Sequence, residues 1–376
     1  MLDLDQLLAY AVERNASDVH LKVGSPPFIR IDGHLEKIDH ASVSPVETER
    51  IAFAIMPKQR AEEFIATSDA DFAYSVSGVG RFRVNAMRQR GSVGLVLRRV
   101  QSDIPSFEDL GLPPVVRKLA EHERGLVLVT GPTGSGKTTT LGSMIDYINT
   151  HQHKHIVTIE DPIEILHADK ASIVNQREVG TDTSDFHSAL KRVLRQDPDV
   201  ILVGEMRDIE TVKTALTAAE TGHLVFSTVH TVDAAETVNR LIDFFPPHMH
   251  QQVRAMLAGT LKGIISQRLV PSASGGRVAA CEILRMTGRV RDMIMDHEQT
   301  GRLPEVIADG GYYGMQTFDQ ALFGHLKSGR VTMEEAVLAA STPHDFKLLV
   351  AADGKKGTTM EDVADAETRR GPALAA

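Results

Sequence analysis

The stretch Gly131-Pro132-Thr133-Gly134-Ser135-Gly136-Lys137-Thr138 constrains this chain more than any other. It has the form G-x-x-x-x-G-K-[ST], and its flanks decide its meaning. The apolar run Leu126 to Thr130 precedes it, and Thr139 to Ile148 reads as a helix. Strand, loop and helix in that order make a P-loop. Its glycines let backbone N–H groups curl around phosphate oxygens, and the helix N-terminus adds a favourable dipole. Lys137 is expected to reach the β- and γ-phosphates of ATP. Thr138 is expected to meet Mg²⁺ through its hydroxyl, with Thr139 closing the nucleotide-binding segment.

The rest of the chain organises around this loop. At 376 residues, two domains are the prior. Leu4, Leu7, Leu8, Ala11 and Val12 recur at helical spacing. Strand-like pieces follow at Val19 to Val23, Phe28 to Ile31, Phe72 to Val76, Arg81 to Met87 and Gly94 to Val100. Residues 1–100 therefore read as a small α+β domain, and 101–112 as a linker around Ile104-Pro105. From Gly125 the pattern becomes βα alternation. Gly125 to Thr130, His155 to Ile159, Val200 to Gly204 and Leu224 to Val229 are β-branched runs suited to a mainly parallel sheet buried on both faces. Gln251 to Leu269 carries one apolar stripe and reads as a single helix. Residues 113–352 are expected to form this α/β domain with a helical C-terminal part. The small, charged tail 353–376 is expected to be disordered.

Hydrolysis needs a placed water and stabilised γ-phosphate charge. Two acidic clusters end strands: Glu160, Asp161 and Glu164 in the first, Glu205 in the second. Strand carboxyl ends are where open α/β sheets bind ligands. Glu160, Asp161 and Glu205 can hold Mg²⁺ directly or through water, or take a proton from water. A lone carboxylate there can also cap a helix, and Asp161 beside Pro162 fits that reading equally. His223 and His230 bracket the strand Leu224 to Val229 at an odd spacing, so they face opposite sides and make a poor metal pair.

Composition removes other classes. The net charge is −9 and there is no Trp, which argues against nucleic acid as partner. No apolar run approaches the roughly 20 residues that span a bilayer, and the acidic opening Met1-Leu2-Asp3-Leu4-Asp5 lacks the basic start of a secretory signal. The single cysteine, Cys281, reads as a buried thiol.

Together these segments resemble the secretion ATPase superfamily of type II secretion and type IV pili. Thr158 to Glu164 is similar to its aspartate box, Asp197 to Asp208 to its Walker B segment, and Thr221 to Thr231 to its histidine box. Ala16-Ser17-Asp18-Val19-His20-Leu21 and Gly314-Met315-Gln316-Thr317-Phe318-Asp319 resemble the PilT-type retraction ATPases. The resemblance implies a RecA-like P-loop ATPase domain after a PAS-like N-terminal domain. It implies Glu164 as general base, Glu205 as Walker B acid, and His223 with His230 as the histidine-box pair. It also implies that Arg81, Arg83 and Arg98 reach nucleotide, in part from a neighbouring subunit. On sequence alone these arginines can equally be a solvated strand face.

The same resemblance implies a cytoplasmic homohexamer at the inner membrane, acting on a pilus platform protein and in some cases beside a second retraction ATPase. Hydrolysis would change the angle between the domains, with the linker as hinge. Cys281 alone excludes the four-cysteine zinc module of the assembly ATPases. Arg289-Val290-Arg291-Asp292-Met293-Ile294 departs from the retraction family's Ala-Ile-Arg motif: Arg291 is kept, while Arg289 replaces alanine. That departure leaves room for a PilU-like accessory role. A ring subunit without turnover would have lost Lys137, Glu164 or Glu205, and all three are present.

Overall fold

The apolar spacing near the N-terminus forms helix α1 (Leu4–Glu13), capped by Asp3, whose side chain accepts from the Gln6 N–H. The computed structural model describes residues 2–352, so the tail expected to be disordered, 353–376, lies outside the described residues. Two units emerge. One runs to Asp103 and takes in Ile163–Leu166; the other holds Ile104–Pro162 and the chain from His167 onward. Among the described residues no helix is long and apolar enough to cross a membrane.

The first unit continues with β1 (Asp18–Leu21), β2 (Phe28–Ile31), β3 (His34–Lys37), α2 (Pro45–Ile55), α3 (Lys58–Thr67), β4 (Asp69–Val76), β5 (Gly80–Gln89) and β6 (Ser92–Arg99). The strands form one antiparallel sheet in the order β3-β2-β1-β6-β5-β4. Alternation does its expected work in β5, where Phe82, Val84 and Ala86 are buried while Arg83 is exposed. They pack with Leu8, Ile51, Phe64 and Leu97 in one core. A capping box between Ser44 and Glu47 starts α2.

The second unit opens with α4 (Val115–Ala120), then β7 (Gly125–Thr130), α5 (Lys137–His151), β8 (His155–Glu160), β9 (Ile173–Glu178), α6 (Phe186–Val193), β10 (Val200–Val203), α7 (Ile209–Glu220), β11 (Leu224–Val229), α8 (Ala234–Asp243) and α9 (His250–Thr260). β12 (Leu261–Pro271) and β13 (Arg277–Arg285) complete a sheet ordered β13-β12-β7-β11-β10-β8-β9. All pairs are parallel except β12 with β13. β7, β8, β10 and β11 bury both faces, as their continuous apolar runs require, while β9 at the edge is half exposed. Leu126 and Leu128 of β7 enter the core shared with α6 to α9, while Val127 and Val129 enter the one shared with α4 and α5.

The single helix expected over Gln251 to Leu269 is instead α9 followed, from Leu261, by β12. The apolar stripe fits both periods, and tertiary context decides between them. Ile264 and Ile265 are β-branched and sit between β7 and β13. Gly263 permits the close approach: a Cβ there would lie 2.8 Å from the Leu284 carbonyl oxygen and 2.7 Å from a Leu119 methyl.

The C-terminal part is α10 (Gly288–Met295), α11 (Leu303–Asp309), α12 (Phe318–Lys327), α13 (Met333–Ala339) and α14 (Pro343–Ala351). Gly314 to Asp319 acquires a structural meaning here. Gly314 is left-handed at φ 80, Gln316 bridges to Ile283 and donates to the Cys281 carbonyl, and Thr317 with Gln320 makes the capping box of α12. Cys281 is buried as expected, and burial pushes its thiol up to about 12.

Candidate active site

The loop Gly131 to Gly136 joins the end of β7 to α5 as the spacing requires. Gly131 has φ 142, and a Cβ there would lie 2.4 Å from the Gln267 carbonyl oxygen and 2.6 Å from the Ser135 hydroxyl. Gly136 has φ 90, and a Cβ would lie 2.8 Å from the Gln267 side-chain nitrogen. Both positions need glycine for conformation and for room. Pro132, Thr133 and Gly134 are exposed at the loop's crest, and no side chain caps α5. The first N–H groups of that helix are therefore open to an anion.

Lys137 is buried, and its Nζ donates to the carbonyls of Gly131 and Pro132, both at 2.9 Å. The Ser135 hydroxyl is buried with no hydrogen-bond partner. A buried orphan hydroxyl inside a bare glycine cradle suits an anionic oxygen as ligand. Thr138 is exposed and Thr139 half-buried. Beneath them the loop rests on β12. Thr140 Oγ1 donates to Gln267 Oε1 at 2.8 Å, and Thr130 Oγ1 donates to Ser266 Oγ at 2.9 Å, all buried. Gln267 supports the loop from the strand that the sequence pattern presented as helix; a polar residue amid β-branched ones was the available signal.

The acids occupy the same edge of the sheet. Glu205 follows β10, and its Oε2 meets Arg207 Nε at 2.5 Å and His230 Nε2 at 3.5 Å. Thr228 clamps this turn, donating to the Gly204 carbonyl at 2.7 Å, and its own carbonyl accepts from the Met206 N–H. Neither acid caps a helix: Asp208 caps α7, and no helix begins at Asp161, whose peptide bond to Pro162 is cis. Glu160 is buried and accepts from Thr158 Oγ1 at 2.6 Å and Gln176 Nε2 at 3.1 Å. Asp161 is exposed. Glu164 is exposed between buried Ile163 and Ile165, in the segment belonging to the first unit. There Ile165 bridges Gln101, and the Leu166 N–H donates to the Gln101 carbonyl at 2.8 Å.

The histidines separate. His230 follows β11 and reaches Glu205, while His223 precedes β11 and hydrogen-bonds the Ala218 carbonyl through Nδ1 at 3.0 Å. Six strand residues put them roughly 20 Å apart, so His223 stands apart from the P-loop. In the first unit, Arg83 and Arg98 face each other across β5 and β6. Arg98 Nε holds buried Asp18 at 2.8 Å. Burial pushes the Asp18 carboxyl up, but hydrogen bonds from Arg98 and Ser17 and the charges of Arg98 and His20 leave it below its ordinary value. Arg81 is half-buried at the start of the same strand.

Residues 2–277 match the family model described as type II/IV secretion system protein. The chain belongs to that family. It is 45% identical over 345 residues to the type IV pilus retraction ATPase PilT of Pseudomonas aeruginosa, covering 92% of this chain and 100% of that one. It is 41% identical over 350 residues to the type IV pilus ATPase PilU of the same organism, covering 93% and 91%. The crystal structure of the pilus retraction motor PilT with bound ADP superposes with a TM-score of 0.84 at 46% identity, covering 93% and 100%. This member of the secretion family thus has the RecA-like ATPase unit after an N-terminal sheet domain.

Proposed function

We propose that this protein is an ATP-hydrolysing ring motor that powers retraction of type IV pili from the cytoplasmic face of the inner membrane. The observation that carries the reading is the joint placement of the P-loop, Glu205 and His230 along one edge of one parallel sheet, at the ends of β7, β10 and β11. Full-length similarity to named pilus retraction ATPases supplies the cargo.

The chemistry follows from the donors. Glycine N–H groups and the open start of α5 take the phosphates. Lys137 exchanges its two loop carbonyls for phosphate oxygens, and the Ser135 hydroxyl gains a partner. The exposed Thr138 hydroxyl and the Glu205 carboxylate, with Glu160 or Asp161 through water, are the oxygens that would hold Mg²⁺, and the ion would supply neutralisation of phosphate charge there. Glu205, oriented by Arg207 and His230, polarises water at the γ-phosphate. Glu164 is proposed as general base, with Arg81, Arg83 and Arg98 as phosphate ligands contributed within or between subunits of a homohexamer. His223 is left without a part at its own subunit's phosphates. The hexamer acts on a platform protein in the membrane.

A PilU-like accessory motor is the second reading, favoured by the comparable identity to PilU. Steady-state ATPase assays of the parent, Lys137→Ala and Glu205→Ala, with particle mass in the same buffer, test both. Mg²⁺-dependent turnover by a hexamer, lost by about 100-fold or more in each variant, supports the motor. A hexamer that does not turn over alone, but gains activity with a second retraction ATPase, supports the accessory role and refutes the stand-alone one.

A further inference from the structure

The edge of the sheet opposite the P-loop carries a groove that the reaction does not use. A cavity of 710 Å³ is lined by His122, Lys262, Arg285, Arg291 and Tyr313. A second, of 360 Å³, adjoins it, sharing Lys262 and Arg291 and adding Arg124. Gly125 begins β7, Lys262 is the second residue of β12 and Arg285 ends antiparallel β13, so all three lie at the amino end of the parallel strands. Thr130, next to the P-loop, is roughly 17 Å away along β7.

Three properties single out this groove. Its cations lack counter-ions: among the described residues, none of Arg124, Lys262, Arg285 or Arg291 forms an ion pair. Among the described residues the only lining carboxylate is Glu220, and Glu121 beside His122 already accepts from the Tyr147 hydroxyl. His122 registers the field, since burial and then Lys262 and Arg285 hold its imidazole below the ordinary value. Such a concentration of positive charge is out of keeping with a chain of net charge −9. The groove is also partly apolar, with Met286 in one half and Met256 in the other. At its mouth Tyr313 is 48% exposed, and Tyr312, stacked edge-on against it, is 93% exposed. Arginine, tyrosine and methionine on an open surface are the composition of protein interfaces rather than of solvated faces.

We propose that this groove docks an acidic segment of the partner protein to which the motor passes its force. The inference rests on the motor reading above. Charge complementarity defines the occupant: carboxylates meet Lys262, Arg285 and Arg291, and interspersed apolar side chains meet Met256, Met286 and Tyr313. Two cavities that share Lys262 and Arg291 offer successive pockets to the side chains of an extended peptide. The position leaves the nucleotide edge clear, so the partner stays engaged while ATP and ADP exchange.

The test is a Lys262→Glu/Arg285→Glu variant, with Lys262→Gln/Arg285→Gln as a milder version should the reversal impair folding. Three readouts are made on the full-length protein: ATP turnover with particle mass, binding of a fluorescein-labelled peptide of alternating Glu and Leu at low and high salt, and twitching of source cells in which the variant replaces the parent. The expected result is parental turnover and mass, peptide affinity weakened by about ten-fold or more with its salt dependence lost, and loss of twitching. Unchanged peptide binding with normal twitching overturns the proposal. Dissociation of the ring overturns it in favour of a contact between copies of this chain. Tripolyphosphate binding more tightly than the peptide and displacing it overturns it in favour of a small phosphorylated ligand. A parent that binds the peptide but does not hydrolyse ATP refutes the stand-alone motor reading instead, so the two failures are distinct.

Discussion

Glu282→Gln is expected to stabilise the ATPase unit at pH 8 and to destabilise it slightly at pH 5. Glu282 lies on β13 opposite Ser266, with a side chain 6% exposed. Its Oε1 accepts from the Ala234 N–H at 2.9 Å, at the start of α8. Burial pushes its carboxyl from 4.5 to about 7, a rise opposed by that N–H and by Arg268 and assisted by Asp233 and Asp319. An acid raised in this way keeps its proton in the folded chain after the unfolded chain has lost it. The folded state therefore binds more protons between pH 4.5 and about 7. Stability falls as pH rises through that window, and the full penalty applies above it. At 1.36 kcal/mol per unit the penalty reaches about 3 kcal/mol. Glutamine keeps the acceptor for Ala234 and cannot ionise, but its amide N–H groups need partners, at about 1–2 kcal/mol. The net gain at pH 8 is about 1–2 kcal/mol, or about 3–6 °C in Tm for a unit of this size. Thermal unfolding of parent and variant from pH 5 to 8.5 at constant ionic strength measures it. Parallel pH–stability curves for the two proteins would refute the reasoning.

Two further perturbations probe the phosphate loop and the N-terminal sheet. Gly131→Ala places a Cβ 2.4 Å from the Gln267 carbonyl oxygen at φ 142, so the loop must shift. Nucleotide affinity should fall by about ten-fold or more while circular dichroism stays parental, and fluorescent-nucleotide titration reads this directly. Arg98→Ala leaves buried Asp18 without its closest cation. The lowered Asp18 carboxyl stabilises the fold above the unfolded value of 3.8, a contribution lost as pH falls through the folded value. Hydrogen exchange in β1 and β6 should therefore report a loss of about 1–2 kcal/mol at pH 7 that shrinks in acid; a loss independent of pH would assign Arg98 a packing role only.

The legible parts of the chain are those where local and global signals agree. The P-loop could be read because glycine spacing, the apolar run before it and the helix after it all demand the same turn. β7, β8, β10 and β11 were readable from continuous β-branched runs, because burial on both faces leaves no alternation to confuse them. The failure at Leu261 has the opposite cause. Val253, Leu257, Leu261 and Ile264 satisfy helical spacing, and only the pairing of β12 with β7 and β13 makes the second half a strand. That single misreading also hid Gln267 and Ser266, which support the phosphate loop from below. Glu164 was legible as an acid after a strand, but its place with the first unit depends on a bridge to Gln101 that no local pattern encodes. The odd spacing of His223 and His230 disfavours a joint metal site, and the whole length of β11 lies between them.

The distribution of charge along β7 and β12 gives the sheet two unlike ends. At one end Gln267 holds Thr140, while Thr130 and Ser266 join the two strands just below the loop. At the other, Lys262 fills the space beside Gly125, where a Cβ would lie 2.5 Å from the Lys262 Cε. Between them Val127 to Val129 pair with Gly263 to Ile265, all buried, and the register shifts at Lys262, between Leu261 and Gly263. A close-packed strand pair of this kind does not deform smoothly, so a displacement of the phosphate loop has a stiff route to the basic groove. Nucleotide turnover and partner engagement can then proceed at opposite ends of one sheet without competing for surface. This arrangement makes Gln267→Ala informative in a way that Lys137→Ala is not. If β12 is the link, the variant should retain ATP binding but change the affinity of the acidic peptide between the ATP-bound and ADP-bound proteins by a smaller factor than the parent does. Equal factors in parent and variant would place the link outside β12.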